Sequence, residues 1–216
     1  MKTKIYLNKK IVVGIFTLFS FFIVQFYSII KTAIAATDTD DVIVTLDVTS
    51  GITISDGAAV TMAPALGISA DSSIGSSSWL VKTNSALGYT LAVKASASPA
   101  LVSGANSFAD YTEAVPGTPD IWSIASGTKE FGYSAYGTDT PTATWGTSAS
   151  CGAAGVPAAA QKYDGFTTSD NTIATRATVT PTTGITTTIC FAAAQNTVYA
   201  PSGTYTATIT ATATTL

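Results

Sequence analysis

Residues 76–94 read SSSWLVKTNSALGYTLAVK, and no other stretch restricts the fold as strongly. Trp79, Val81 and Thr83 alternate with Ser78, Leu80 and Lys82. After residues 84–88 the alternation resumes, with Tyr89, Leu91 and Val93 set against Thr90, Ala92 and Lys94. A period of two sends successive side chains to opposite faces of a strand, so each half presents one apolar face led by an aromatic ring. Asn, Ser and Gly between the halves suit a turn. The stretch predicts a β-hairpin at the centre of a larger β structure, because two strands alone bury too little to be stable.

The same period recurs along the chain. Val42, Val44, Leu46 and Val48 alternate with Ile43, Thr45 and Asp47 and predict a first strand; Ile52 and Ile54 continue it, and Val60 and Met62 make a third short strand before Pro64. Residues 121–124 and 130–136 read as a strand pair around 125–129. Residues 172–180, 185–192 and 204–214 supply the last strands. Residues 96–118 read as an irregular loop with one helical turn near 107–112, and 141–165 as an Ala- and Gly-rich loop. About nine short strands and almost no helical periodicity predict an all-β, antiparallel β-sandwich.

Lys2, Lys4, Lys9 and Lys10 precede an apolar run over residues 11–30, followed by Ala33-Ile34-Ala35. This is the pattern of a secretory signal peptide over residues 1–35, leaving residues 36–216 as one β-sandwich domain. A retained membrane anchor is the alternative, since about 20 apolar residues span a bilayer, and the membrane would then be touched only through this leader. Either way the basic flank stays inside and the remainder is sent out, to the cell surface or the medium. Beyond the leader, five basic residues stand against 13 acids, a net of −8. Nucleic acid, which needs clustered Lys and Arg, is therefore not an expected partner. The two cysteines, Cys151 and Cys190, both lie in the exported part and are expected to bridge. Closing a loop of this length contributes roughly 4 kcal/mol in the chain-entropy account.

Trp79-Leu80-Val81, followed by Gly88-Tyr89-Thr90-Leu91, resembles the first Trp motif and partner strand of WxL-type bacterial cell-surface domains. The run from Gly203 to Thr210 resembles the Tyr-bearing strand that precedes their second Trp-x-Leu, although Ala211-Thr212-Ala213 stands where that motif belongs and Val81 replaces the first Leu. The resemblance implies a non-enzymatic domain held on the outside of the cell by non-covalent attachment to peptidoglycan.

The chain contains no histidine, which rules out Ser-His-Asp, Cys-His and His-bearing metal arrangements. Paired carboxylates remain, with Glu113, Glu130 and Asp110 as candidates. Oxygen ligands for calcium are offered by Asp38, Asp40 and Asp41, or by Asp164, Asp170 and Asn171, without the spacing of a defined loop. Neither set implies a cofactor or a metal site, and no enzyme activity is expected. Trp122, Tyr136 and Trp145 fall in one Gly-rich region, where exposed rings would stack on sugar faces and buried ones would be core. They are the candidate ligand-binding residues, with peptidoglycan or a surface glycan as the expected partner. The alternative is a self-assembling subunit of a surface filament or layer, because the alternating strands near each terminus are the ones most readily donated to another copy.

Overall fold

A computed structural model describes residues 38–55 and 57–216, together with Thr17, Ser20 and Phe21. Apart from those three residues, the leader expected over residues 1–35 lies outside the described part. Among the described residues no helix is long and apolar enough to cross a membrane. The chain divides into two compact units, Met1–Asp47 and Val48–Leu216. In the first unit, residues 38–47 form no strand, and the alternating side chains are open to solvent: Val42 is 82%, Val44 87% and Leu46 84% exposed. Val48, in the second unit, is 76% exposed. The first strand expected there is therefore absent. Alternation makes a segment able to be a strand, but a ladder requires an edge to pair with.

The second unit contains thirteen strands among the described residues, against about nine expected. They are β1 (Ile52–Ile54), β2 (Ser72–Thr83), β3 (Tyr89–Ala95), β4 (Leu101–Ser103), β5 (Asn106–Asp110), β6 (Asp120–Ile121), β7 (Lys129–Gly137), β8 (Gly152–Ala153), β9 (Val156–Pro157), β10 (Lys162–Gly165), β11 (Asn171–Arg176), β12 (Ile185–Gln195) and β13 (Ile209–Thr215). One four-residue helix, α1 (Thr142–Trp145), precedes β8. An eight-stranded sheet runs β1-β2-β12-β7-β10-β6, with the β4–β5 pair joined to β7 through β5. A three-stranded sheet runs β11-β3-β13, and β8–β9 is a small separate pair. All pairings between strands are antiparallel except β5 with β7.

The central stretch supplies both strands in their expected places, but they do not pair with each other. β2 belongs to the large sheet and β3 to the small one, so residues 84–88 form an arch between sheets and not a hairpin loop. Trp79 and Val81 of one sheet and Tyr89, Leu91 and Val93 of the other enter a single buried core. The arch is tied locally: the Thr83 hydroxyl donates to the Gly51 carbonyl at 2.8 Å and accepts the Ser85 N–H at 3.0 Å. Gly88 has φ +85°, and a Cβ there would stand 1.9 Å from the Arg176 carbonyl oxygen, so only glycine lets the chain rise into the second sheet.

Other expectations shift for similar reasons. Residues 60–62 form no strand; only the neighbouring Ala63 bridges to Ile74. The helical turn near 107–112 is instead β5, hairpinned to β4, with Phe108 2% exposed. β6 pairs with β10 and not with β7. β12 is buried on both faces through Ile189, Cys190, Phe191, Ala192 and Ala193, because a second apolar layer covers the outer face of the large sheet. That layer holds Tyr111 and Tyr163, with Trp122, Ile124, Tyr136 and Cys151 packed against it. The Cys151–Cys190 disulfide ties it to β12.

Candidate functional site

The three aromatic candidates do not form one site. Tyr136 follows the inward-facing Phe131, Tyr133 and Ala135 on β7 at the opposite phase, so it lies with the outer layer, half-buried. Trp122 is also half-buried in that layer, stacked on Tyr111 with ring centroids 4.6 Å apart and meeting Tyr163 edge-on at 5.2 Å. Trp145, at the end of α1, is only 1% exposed and packs against Tyr133 in the inner core, centroids 5.4 Å apart. With both faces covered it has no ring surface for a sugar, which corrects its expected role as a ligand contact. The Tyr111 hydroxyl donates to Asp120, with the Ile121 carbonyl beside it at 3.2 Å, and accepts the Ser123 N–H, which fixes the stack in place. Burial, then the Asp120 bond, pushes its pKa above the ordinary tyrosine value.

The candidate carboxylates are also separated. Asp110 accepts from the Ser98 hydroxyl at 2.6 Å and the Ala100 N–H at 2.9 Å, which makes it the fastening of a turn. Glu130 accepts the Thr112 N–H. Asp170 pairs with Lys94 at 3.3 Å, while Asn171 donates to Asp164 and to the Tyr133 hydroxyl, both at 2.7 Å. The acids that do meet are Glu113 and Asp164, hydrogen-bonded to each other. Burial, then the bond to Glu113 and its charge, raises Asp164 to about 7. Burial opposes the charge on Glu113, but the Asp164 bond and the Gly165 N–H outweigh it and hold Glu113 below the usual carboxylate range. The pair clamps the chain after Tyr111 onto β10. Its acceptor atoms are engaged by Gly165 and Asn171, an arrangement suited to fastening. Among the described residues no group of three His, Cys, Asp or Glu is placed to hold a metal.

A cleft forms a seam between the two sheets. Residues 57–66, lying beside β2, and residues 200–209, leading into β13, face each other across a cleft of about 1020 Å³. Its floor is mostly apolar, with Trp79, Leu101, Phe108, Phe131, Phe191 and Ala193, and includes the hydroxyls of Ser73 and Ser77. Tyr205, Ala207 and Ile209 point toward it but stay half-buried, while Thr204, Thr206 and Thr208 are exposed. The backbone explains why the seam stays open. Thr206 exchanges both hydrogen bonds with Val102, Thr208 accepts from Ser96, and Leu216 donates to Gly88. Even-numbered residues therefore turn their amides toward their neighbours, and Ala207 and Ile209 turn theirs to the free edge. β13 ends its sheet. β1 lies close beside it without pairing, and no strand flanks 205–209 on that side among the described residues.

Sequence reasoning placed strands on both walls but missed the cleft. The available clue is small side chains on both sides: Gly57, Ala58, Ala59 and Ala65 opposite Gly203 and Ala207. Such residues leave room that a Val- or Ile-rich edge would fill.

No protein-family model, curated protein or solved structure matches this chain. The resemblance to WxL-type domains therefore rests on its own residues alone. Within it, Trp79 and Tyr89 belong to facing strands of one core.

Proposed function

We propose that this chain is an exported, non-enzymatic cell-surface protein that works by assembling with further copies of itself into a filament or layer. The observation that carries the reading is the coexistence of an unpaired, strand-patterned apolar segment at 42–48 with an open apolar seam beside a free strand edge. An exposed segment of this kind is an aggregation liability in a protein that works alone. Burying Val42, Val44, Leu46 and Val48 is worth roughly 1.5–3 kcal/mol for each side chain, a large return for association. The buried disulfide supports export to an oxidising compartment, and the threonine-rich outer face of residues 204–214 suits an extracellular surface.

A second reading is binding of peptidoglycan or a surface glycan. It is favoured by Trp122 and Tyr136, which are half-exposed over the disulfide-tied layer. Sedimentation of the exported protein over a concentration series, run beside a pull-down on purified wall polymers and glycans, separates the two. Growth of oligomers with concentration and no glycan retention is the expected outcome. A monomer retained on glycan would replace the first reading with the second.

A further inference from the structure

Resting on the self-assembly reading, we infer that residues 42–48 of one copy lie as an added strand in the seam of the next, with Val42, Val44, Leu46 and Val48 turned onto its apolar floor. Three observations converge on this occupant. The segment spans about 23 Å as a strand at ~3.3 Å per residue, and the wall it would line, residues 200–209, is ten residues long and so can accommodate it. Its even-numbered side chains are uniformly aliphatic apart from the flanking acids, so one face is apolar throughout. Ile43, Thr45 and Asp47 fall on the other face, which would look outward. The receiving side offers the matching half: the outward amides of Ala207 and Ile209 for the ladder, and an apolar trough for the side chains.

The area is sufficient. Four aliphatic side chains at roughly 60–120 Å² each, a similar area on the receiving walls, and a strand backbone laid along an edge come to on the order of 1,000 Å², about the least a specific interface needs.

The point at which the chain enters the second unit favours a head-to-tail contact. Asn84 in the arch donates to the Thr49 carbonyl at 2.8 Å and accepts the Gly51 N–H, so the chain passes Thr49 at the arch end of β2. Much of the cleft floor lies toward the other end, where Phe191 and Ala193 pair with Gly75 and Ser73 near the start of β2. A segment leaving one end and a receptor opening toward the other form a heterologous interface, which propagates instead of closing a dimer.

The test uses the exported full chain in three forms: unmodified, Val44→Asp/Leu46→Asp to disable the segment, and Ala207→Trp to fill the seam. Ala59→Trp, on the exposed opposite wall, stands in if Ala207→Trp loses its β-type circular dichroism. In sedimentation velocity the unmodified protein is expected to form a ladder of species that lengthens with concentration. Each variant alone should be monomeric, with its association midpoint raised about thirtyfold or more, as for loss of an interface hot spot. An equimolar mixture of the two variants should give a one-to-one dimer and nothing longer, because one retains only the segment and the other only the seam. If the unmodified protein assembles and the variants assemble equally well, this pairing is wrong while self-assembly stands. A mixture that stays monomeric also overturns the pairing. If the unmodified protein is monomeric throughout, both fail together.

Discussion

Residues 42–48 and the covering formed by Tyr111, Trp122 and Tyr163 invert each other. The first has the alternation of a strand and lies in solvent, with Ile43 90% exposed. The second has no usable period, is broken by Pro and Gly, and yet contains Tyr163 at 0% and Tyr111 at 4% exposure. Periodicity describes what a segment could line up with. Burial depends on whether the remaining chain provides a surface, and here β7 and β12 provide one on each side for the covering. Covering the outer face also explains why polar groups such as Ser134 are buried on a strand that should have had a wet side.

The largest expected effect lies in the inner core that the covered sheet encloses, at Trp145. Trp145→Ala should lower stability by roughly 3–5 kcal/mol, as for a large aromatic removed from a packed interior, measured from the denaturant midpoint of a cooperative transition. A loss below about 1 kcal/mol would place the ring at the surface and return it to the list of ligand contacts.

A smaller effect tests the clamp that holds the unpatterned covering down. Asp164 keeps its proton to about pH 7, whereas an unfolded aspartate releases it near 3.9. The folded state thus binds the extra proton in between. Its contribution is complete below about pH 4 and is lost as pH rises through about 7. Glu113, shifted downward, contributes in the opposite sense, present above its ordinary value and lost in acid, so the slope between about pH 4 and 7 belongs to Asp164. Stability should fall over that window by on the order of 2 kcal/mol, and Asp164→Asn should flatten the curve. An unchanged slope in the variant would assign the titration elsewhere.

The smallest effect belongs to the patterned segment. Leu46→Ala, at 84% exposure, should change the stability of the dilute monomer by no more than about 0.5 kcal/mol, although the same residue is central to assembly. A loss above about 1 kcal/mol in dilute solution would mean that the segment is already buried within its own chain.

Trp79, Val81, Tyr89 and Leu91 were legible as core from their spacing, and Cys151–Cys190 from the compartment. The sheet to which each strand belongs was not. Two facing strands of a sandwich and two paired strands of a hairpin show the same alternation, and the difference lies in a five-residue connection whose Gly88 serves either purpose. Ile189 to Ala193 did advertise burial on both faces as an unbroken small and apolar run, but what would cover the outer face could not be read from Tyr111, Trp122 and Tyr163, which lie far apart in the chain. The seam was hidden for the opposite reason: alanines at 58, 59 and 207 look like ordinary strand filler until their facing positions are known.

The Gly88 arch carries one further consequence, which is mechanical. Leu216 donates its N–H to the Gly88 carbonyl at 3.1 Å, and Asn84 holds the Thr49 carbonyl, so residues 49 and 216 are anchored at the same end of the sandwich. Tension applied between those two points would peel β13 from β3 one hydrogen bond at a time. Tension entering at the seam and leaving through Thr49 runs along the strands instead and loads many ladder bonds in shear at once. A string of copies joined segment to seam would pull on every sandwich in this second, more resistant direction.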